Sequence, residues 1–289
     1  MELDCRDPIL SGVVDIDHFK KNHCTLFNEI NQKEWEDFSN SNLAEIDLPF
    51  SDEKLSTWVD KARKRKYSLS RSVKGLIESF IPIWNNNFYQ KRSDLINEAT
   101  FTHDILVPIM KFIAPSFFLR WDQAQSLSSK NRGVIKFVDT IGNVTSNDRI
   151  FEIFFVEVSH GPFHPSPENH IEEDYYKLIK LGKDGLDRNS GYYTDNKVYL
   201  FHLHAEYICT YVMDRKFSPF TRKIALDKIP IPFYQNDPYK ILEFIKKLYK
   251  YRLILEDSIR ICKEINFNSK NISVENDFET FPTPKKKRI

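Results

Sequence analysis

A chain of 289 residues with 41% apolar, 14% aromatic and 29% charged side chains buries roughly 75% of the surface its unfolded form exposes, which excludes wholesale disorder, a collagen-like repeat and a coiled-coil rod. Its 42 basic and 41 acidic residues give a net charge of +1, but nine of the basic ones stand in two runs, 61–66 and 285–288; without those runs 33 basic residues face 41 acidic ones, a balance of −8. Any contact with nucleic acid must therefore come from local patches and not from a basic domain.

In chain order, residues 1–50 mix Phe19, Leu26, Phe27, Ile30, Trp35 and Phe38 with Asp, Asn and Lys in no sustained period, which predicts short helices. Ser51 is an N-cap for a helix through Leu55, Trp58 and Val59 into the basic run. Val73, Leu76, Ile77, Phe80, Trp84 and Phe88 follow at three-to-four spacing, with Pro82 expected to kink or divide that helix. Phe101, Ile105, Ile109 and Phe112 mark another helix, again carrying a proline, Pro108.

Beyond Pro115 the pattern changes to short β-branched and aromatic runs at 117–121, 134–139 and 150–158, which predict core strands. Ser166 and Pro167 open a helix whose apolar stripe is Ile171, Tyr175, Leu178, Gly182 and Leu186, with Lys177, Lys180 and Lys183 off that stripe. Strands at 198–204, 207–213 and 220–229 follow, the last two as a hairpin around Ser218 and Pro219. A long helix then carries Ile241, Ile245, Leu248, Leu255, Ile259 and Cys262 on one stripe, and the polar, aperiodic remainder reads as a flexible tail.

Several function classes drop out. Eight glycines leave no glycine-rich phosphate loop, so Walker-type and dinucleotide-binding sites are excluded. No window reaches the roughly 18 apolar residues of a membrane span, and the charged Met1–Asp7 stretch is unlike a secretory signal, so an intracellular protein without membrane partners is expected. Cys5, Cys24, Cys209 and Cys262 are scattered and read as reduced thiols.

Alternation along the strands puts Ile135, Phe137 and Asp139 on one side, and Phe151, Ile153, Phe155 and Glu157 likewise. Each run ends in a carboxylate, and two acids converging from adjacent strands suit a hard cation such as Mg²⁺. Strands that have merely reached solvent show the same spacing. His160, His164 and His170, with His202 and His204, offer a rival zinc site, but no cysteine or acid stands at a familiar zinc spacing, and zinc is not adopted.

A family resemblance meets the chain at these residues. Asn97-Glu98-Ala99-Thr100-Phe101-Thr102-His103, Pro108, Arg120-Trp121, Phe155 to Pro162 with Glu157, Tyr176-Lys177-Leu178 and Lys183 to Asp187 together resemble a group of fungal proteins that in turn resembles the restriction-endonuclease-like superfamily of PD-(D/E)XK nucleases, over about residues 97–262. The resemblance implies a mixed-sheet restriction-endonuclease-like core flanked by helices over 96–263; with the helical N-terminal part over 1–95 and the flexible tail over 264–289 that the residue pattern predicts, the expected fold is α/β (α+β). It makes Glu98 the acid of the preceding helix, and Asp139 and Glu157 the strand acids that hold Mg²⁺ if the site is active. Where active members carry a lysine two residues after the last acid, this chain has Ser159, so Lys180 is assigned the missing charge, with Lys177 as the other candidate on the same helix. Val138 stands where a proline often precedes the second acid.

Two readings stay open: a nuclease acting on DNA or RNA through metal-dependent phosphodiester cleavage, or a catalytically inactive nuclease-fold module for protein–protein interaction. Lys285, Lys286, Lys287 and Arg288 resemble a nuclear import signal able to dock in an acidic receptor groove, which implies an import receptor as partner and a nuclear location.

Overall fold

The computed structural model describes residues 7–23, 27–28, 30–39, 71–131, 133–164, 168–190, 196–217 and 219–264. The Ser51 helix, the 61–66 run, the Ser166-Pro167 helix start and the tail with its 285–288 run lie outside the described residues.

Seven strands form one mixed sheet: β1 (Val13–Asp15), β2 (Phe118–Gln125), β3 (Phe137–Ser146), β4 (Arg149–Ser159), β5 (Lys197–His204), β6 (Tyr207–Asp214) and β7 (Thr221–Pro230), in the spatial order β1-β7-β6-β5-β4-β3-β2. The pairs β4–β5 and β1–β7 are parallel and the rest antiparallel. Helices α1 (Ile16–Asn22) and α2 (Gln32–Ser39) belong to the N-terminal stretch. Helix α3 (Arg71–Trp84) is followed by α4, which starts at Glu98–Phe101, passes through a π-helical turn at Thr102–Leu106 and continues as Val107–Ile113. Helix α5 (Glu168–Asn189) makes the crossover that the parallel β4–β5 pair requires, and α6 (Pro238–Glu264) closes the described chain.

The sheet is covered on both faces. Helices α3, α4 and α6 pack on one, where Phe80, Phe101, Ile109, Phe244 and Tyr251 meet Phe154, Val156, Phe201 and Ile208. Helix α5 covers the other, where Leu178, Ile179, Leu181 and Leu186 meet Ile141, Phe155, Val198 and Leu200. Strand β4, buried on both sides for nine of its eleven residues, therefore carries apolar residues on both faces, interrupted by Glu152 and Glu157, and shows no regular polar–apolar alternation.

The β3–β4 hairpin closes at Asn147 and Asp148, both with left-handed backbone (φ 48° and 59°), a conformation their side chains tolerate and a two-residue hairpin demands. In α4 the π-helical turn lets the Val107 N–H reach the Thr102 carbonyl, and Pro108, which has no N–H to donate, follows directly.

Several expectations need correction. Pro82 lies inside α3 without dividing it: only two helical residues follow it, and both, Ile83 and Trp84, are buried in the core, which holds the last turn in place. Phe88 is exposed in the separate short helix Asn87–Gln90. Residues 134–136 do not belong to β3, and Ile135 and Phe137 are exposed, so Asp139 stands near the start of its strand and not at its end. The proposed shared face of Phe151, Ile153, Phe155 and Glu157 is broken by an irregularity opposite Gly142 and Asn143, which inserts one residue and reverses the alternation. Phe151 and Phe154 consequently face α6, while Glu152 joins Phe155 and Glu157 on the α5 side. The N-terminal stretch also supplies a strand, β1, that short-range periodicity does not reveal.

Candidate active site

Antiparallel pairing sets Thr140 opposite Val156, so Asp139 on β3 and Glu157 on β4 fall side by side on the face that α5 covers. The Val158 N–H donates to Asp139 Oδ2 at 2.7 Å, which locks that carboxyl across the strand pair. The other oxygen, Oδ1, receives the side-chain amide of Gln123 at 3.3 Å. Gln123 comes within reach because β2 bulges there, with Asp122 and Gln123 both in left-handed backbone.

Helix α5 runs antiparallel to β4. Asn189 at its far end donates to the Glu152 carbonyl, whereas Lys177, in its first half, meets the carboxylate of Glu157. The height of the helix on the sheet depends on Gly182, where a Cβ would come within 2.5 Å of the Met213 sulfur and 2.9 Å of Leu200. Lys180, the lysine assigned by the resemblance, lies one turn further along, away from the strand end. The ammonium delivered to Glu157 is thus that of Lys177. Lys183 is buried against Asp187 at 2.7 Å and belongs to the packing.

Glu98 opens α4, whose N-terminus is capped by the Asn97 side chain accepting from the Thr100 N–H at 2.8 Å. The chain leaving β4 can pass this point only as glycine: a Cβ on Gly161 would stand 1.8 Å from the Ile96 carbonyl oxygen. That close approach brings Glu98 near enough for its charge to raise the Asp139 pKa.

The electrostatics show an unsettled pair. Burial, and then the charges of Glu98 and Asp174, push the Asp139 carboxyl up to about 6 against the opposing pull of the Val158 N–H and Lys177. Burial pushes Glu157 well above the ordinary range, the Asp139 charge adds to it, and Lys177 opposes both. Burial lowers the Lys177 ammonium, but Glu157 first and then Asp174 and Asp139 outweigh it, so its pKa is raised. Glu157 Oε2 is buried with no hydrogen-bond partner.

Behind this pair lies a second tier that sequence reasoning missed. The Ser159 hydroxyl lies 2.7 Å from Asp174 Oδ2 and 2.8 Å from His202 Nε2. Asp174 faces Lys177 at 3.6 Å and His170 at 3.3 Å. Burial first, and the neighbouring charges of His204 and Lys177 after it, lower His202 to about 3, so its ring is neutral. The available signal for Asp174 was its helical spacing, three residues before Lys177 and four after His170. Gln123 had none, since a bulge obeys no period.

Among the described residues no three His, Cys, Asp or Glu side chains are gathered as a metal shell. The His160 ring packs on those of His164 and His170, with centroids 5.5 and 4.4 Å apart, and His202 packs beside His204 at 4.8 Å. No described helix is long and apolar enough to cross a membrane. A scan against protein-family models, a search of curated proteins and a search of solved structures each returned no match.

Proposed function

We propose that the chain is a divergent nuclease-type phosphodiesterase dependent on a divalent cation, with nucleic acid as substrate. The observation that carries this is the meeting of Asp139, Glu157 and Lys177 at one end of the sheet, with Glu98 within electrostatic reach. A small hard cation fits these residues: Glu157 Oε2 is a buried oxygen without a partner, and both carboxyls are raised by burial and by like charge, a state that positive charge relieves.

Asp139 and Glu157 would hold the ion, and Mg²⁺ in such a place supplies an acidified water and a polarised phosphate oxygen. Lys177 supplies the fixed positive charge that stabilises the negative charge growing on the phosphoryl oxygens, the part Ser159 cannot take. Gln123 and the Val158 N–H keep the Asp139 carboxylate in one orientation. Through residues 285–288 the same reading places the protein in the nucleus, and a fluorescent fusion lacking those four residues checks this by its loss of nuclear signal.

The test is cleavage of plasmid DNA and single-stranded RNA by the purified chain with Mg²⁺ or Mn²⁺, beside the Asp139→Ala, Glu157→Ala double variant. Metal-dependent cleavage absent from the variant is the expected result, and equal products from both proteins would refute the assignment. A specific observation favours the alternative, an inactive module that binds protein: Lys177 already occupies one oxygen of Glu157, and Asp139 already serves the Val158 N–H. In that case neither protein cleaves, and nucleic-acid retention stays negligible even at low salt.

A further inference from the structure

The buried polar chain His202–Ser159–Asp174–Lys177 has a direction. Ser159 has one proton, and Asp174, a carboxylate, accepts it at 2.7 Å. The serine oxygen must then accept from His202, whose neutral ring carries its proton on Nε2, 2.8 Å away. Ser159 and His202 are each about 1% exposed and Asp174 is 7% exposed, so the chain is shielded from competing water. Its outer end is the Asp174 carboxylate beside the Lys177 ammonium.

A lysine on a strand two residues from an acid is placed by the strand itself. A lysine on a helix has a flexible four-carbon stem and a compact charge with no preferred angle of approach, so it needs a second anchor. Glu157 alone gives one contact, and that contact loosens whenever Glu157 turns to another cation. Asp174, on the same face of α5 at i−3, supplies the second. It is held in turn by the Ser159 hydroxyl and by His170.

Resting on the proposed phosphodiesterase site, we propose that Asp174 is a positioning residue, fixed by Ser159, that keeps the Lys177 ammonium over Glu157, so that the serine standing in place of the expected lysine orients the lysine that has moved to the helix. Ser159 is then a working part of the site and not a vacancy. The arrangement also accounts for a buried serine, aspartate and histidine where the first half of α5 meets the end of β4.

The experiment follows the Lys177 side chain directly, using the full chain with ¹³C,¹⁵N-labelled lysine and assigning the resonance by its loss in Lys177→Arg. In Asp174→Asn the Lys177 Nζ chemical shift is expected to move toward that of a solvent-exposed lysine and its ammonium protons to exchange faster, since the anchor 3.6 Å away is lost. Ser159→Ala moves both the same way, and Ser159→Thr, which keeps the hydroxyl, restores them. Plasmid turnover with Mn²⁺ should fall about tenfold in kcat in Asp174→Asn with KM within about twofold, because the loss is one of transition-state charge. If wild type does not cleave and the Lys177 resonance still moves, the phosphodiesterase reading fails and the positioning role stands. A folded Asp174→Asn protein with an unmoved Lys177 resonance overturns the positioning role whether or not the chain cleaves. Should Ser159→Ala not fold, the isosteric Asp174→Asn carries the decision alone.

Discussion

Strand β4 carries two buried glutamates on the same face, and they live in opposite conditions. Glu152, fully buried, is saturated: Arg120 reaches it at 2.5 Å, the Ser126 and Ser128 hydroxyls at 3.0 and 2.5 Å, and the backbone N–H groups of Leu127 and Ser128 at 2.9 and 2.8 Å. Glu157, 3% exposed, has Lys177 on one oxygen and nothing on the other. Burial of a carboxylate therefore does not by itself mark a site, since a full set of donors turns the same group into a structural pin. The mark is burial with an acceptor oxygen left over, where the missing donor or cation is one the fold does not provide.

The sharpest way to break this contrast is to remove each acid in turn. Glu152→Ala strands the Arg120 guanidinium and the orphaned N–H groups, and should cost about 3–5 kcal/mol in a urea denaturation series. Glu157→Gln keeps the size of a side chain whose second oxygen the fold leaves without a donor, so stability should stay within about 1 kcal/mol while metal-dependent cleavage falls about 100-fold or more, close to 3 kcal/mol in the barrier. A large loss of stability in Glu157→Gln with little change in Glu152→Ala would reverse the assignment of structure and site.

A titration sharpens the same point. An Asp139 carboxyl at about 6 when folded and about 3.9 when unfolded binds more protons in the native state. Its contribution to stability is present below pH about 4 and is lost as the pH rises through about 6, to a total of about 3 kcal/mol. Glu157, also raised, acts in the same direction. His202, lowered to about 3, contributes in the opposite direction over the same range, so the check is the difference in midpoint between wild type and Asp139→Asn, which should fall between pH 4 and 7; a difference that stays flat or rises contradicts the description of the pair. The smallest effect calibrates the rest: the solvent-facing ion pair of Arg92 with Glu206, at 2.8 and 2.9 Å, should cost under about 1 kcal/mol on Arg92→Ala despite its good geometry.

Much of this was legible beforehand, and the reasons are local. The apolar periods placed α3, α4, α5 and α6 and the strands β2, β4, β5, β6 and β7 close to their observed positions but caught only the first three residues of β3, because 3.6- and 2-residue repeats reflect one-sided burial within a single element. Asp139 and Glu157 were singled out as strand-end carboxylates, together with the family resemblance, although Asp139 stands near the start of β3. The choice of Lys180 over Lys177 was not decidable that way, since both sit on the same helix off its apolar stripe. β1 has three residues and no period to show, Gln123 depends on a bulge, and Ser159 looked like an absence because its partner Asp174 is fifteen residues away.

Sequence alone determined that this chain folds, that its sheet is mixed with helices, and that two acids and a helix-borne lysine are its candidates for chemistry, because composition, period and residue type are properties of neighbours along the chain. Tertiary structure alone decided which lysine meets Glu157, which buried glutamate is satisfied and which is not, and that Ser159 faces Asp174. Those outcomes turn on how high and at what angle α5 rests on the sheet, and that is set by contacts such as Gly182 against Leu200 and Met213. Such contacts are made between elements and leave no repeat in either one.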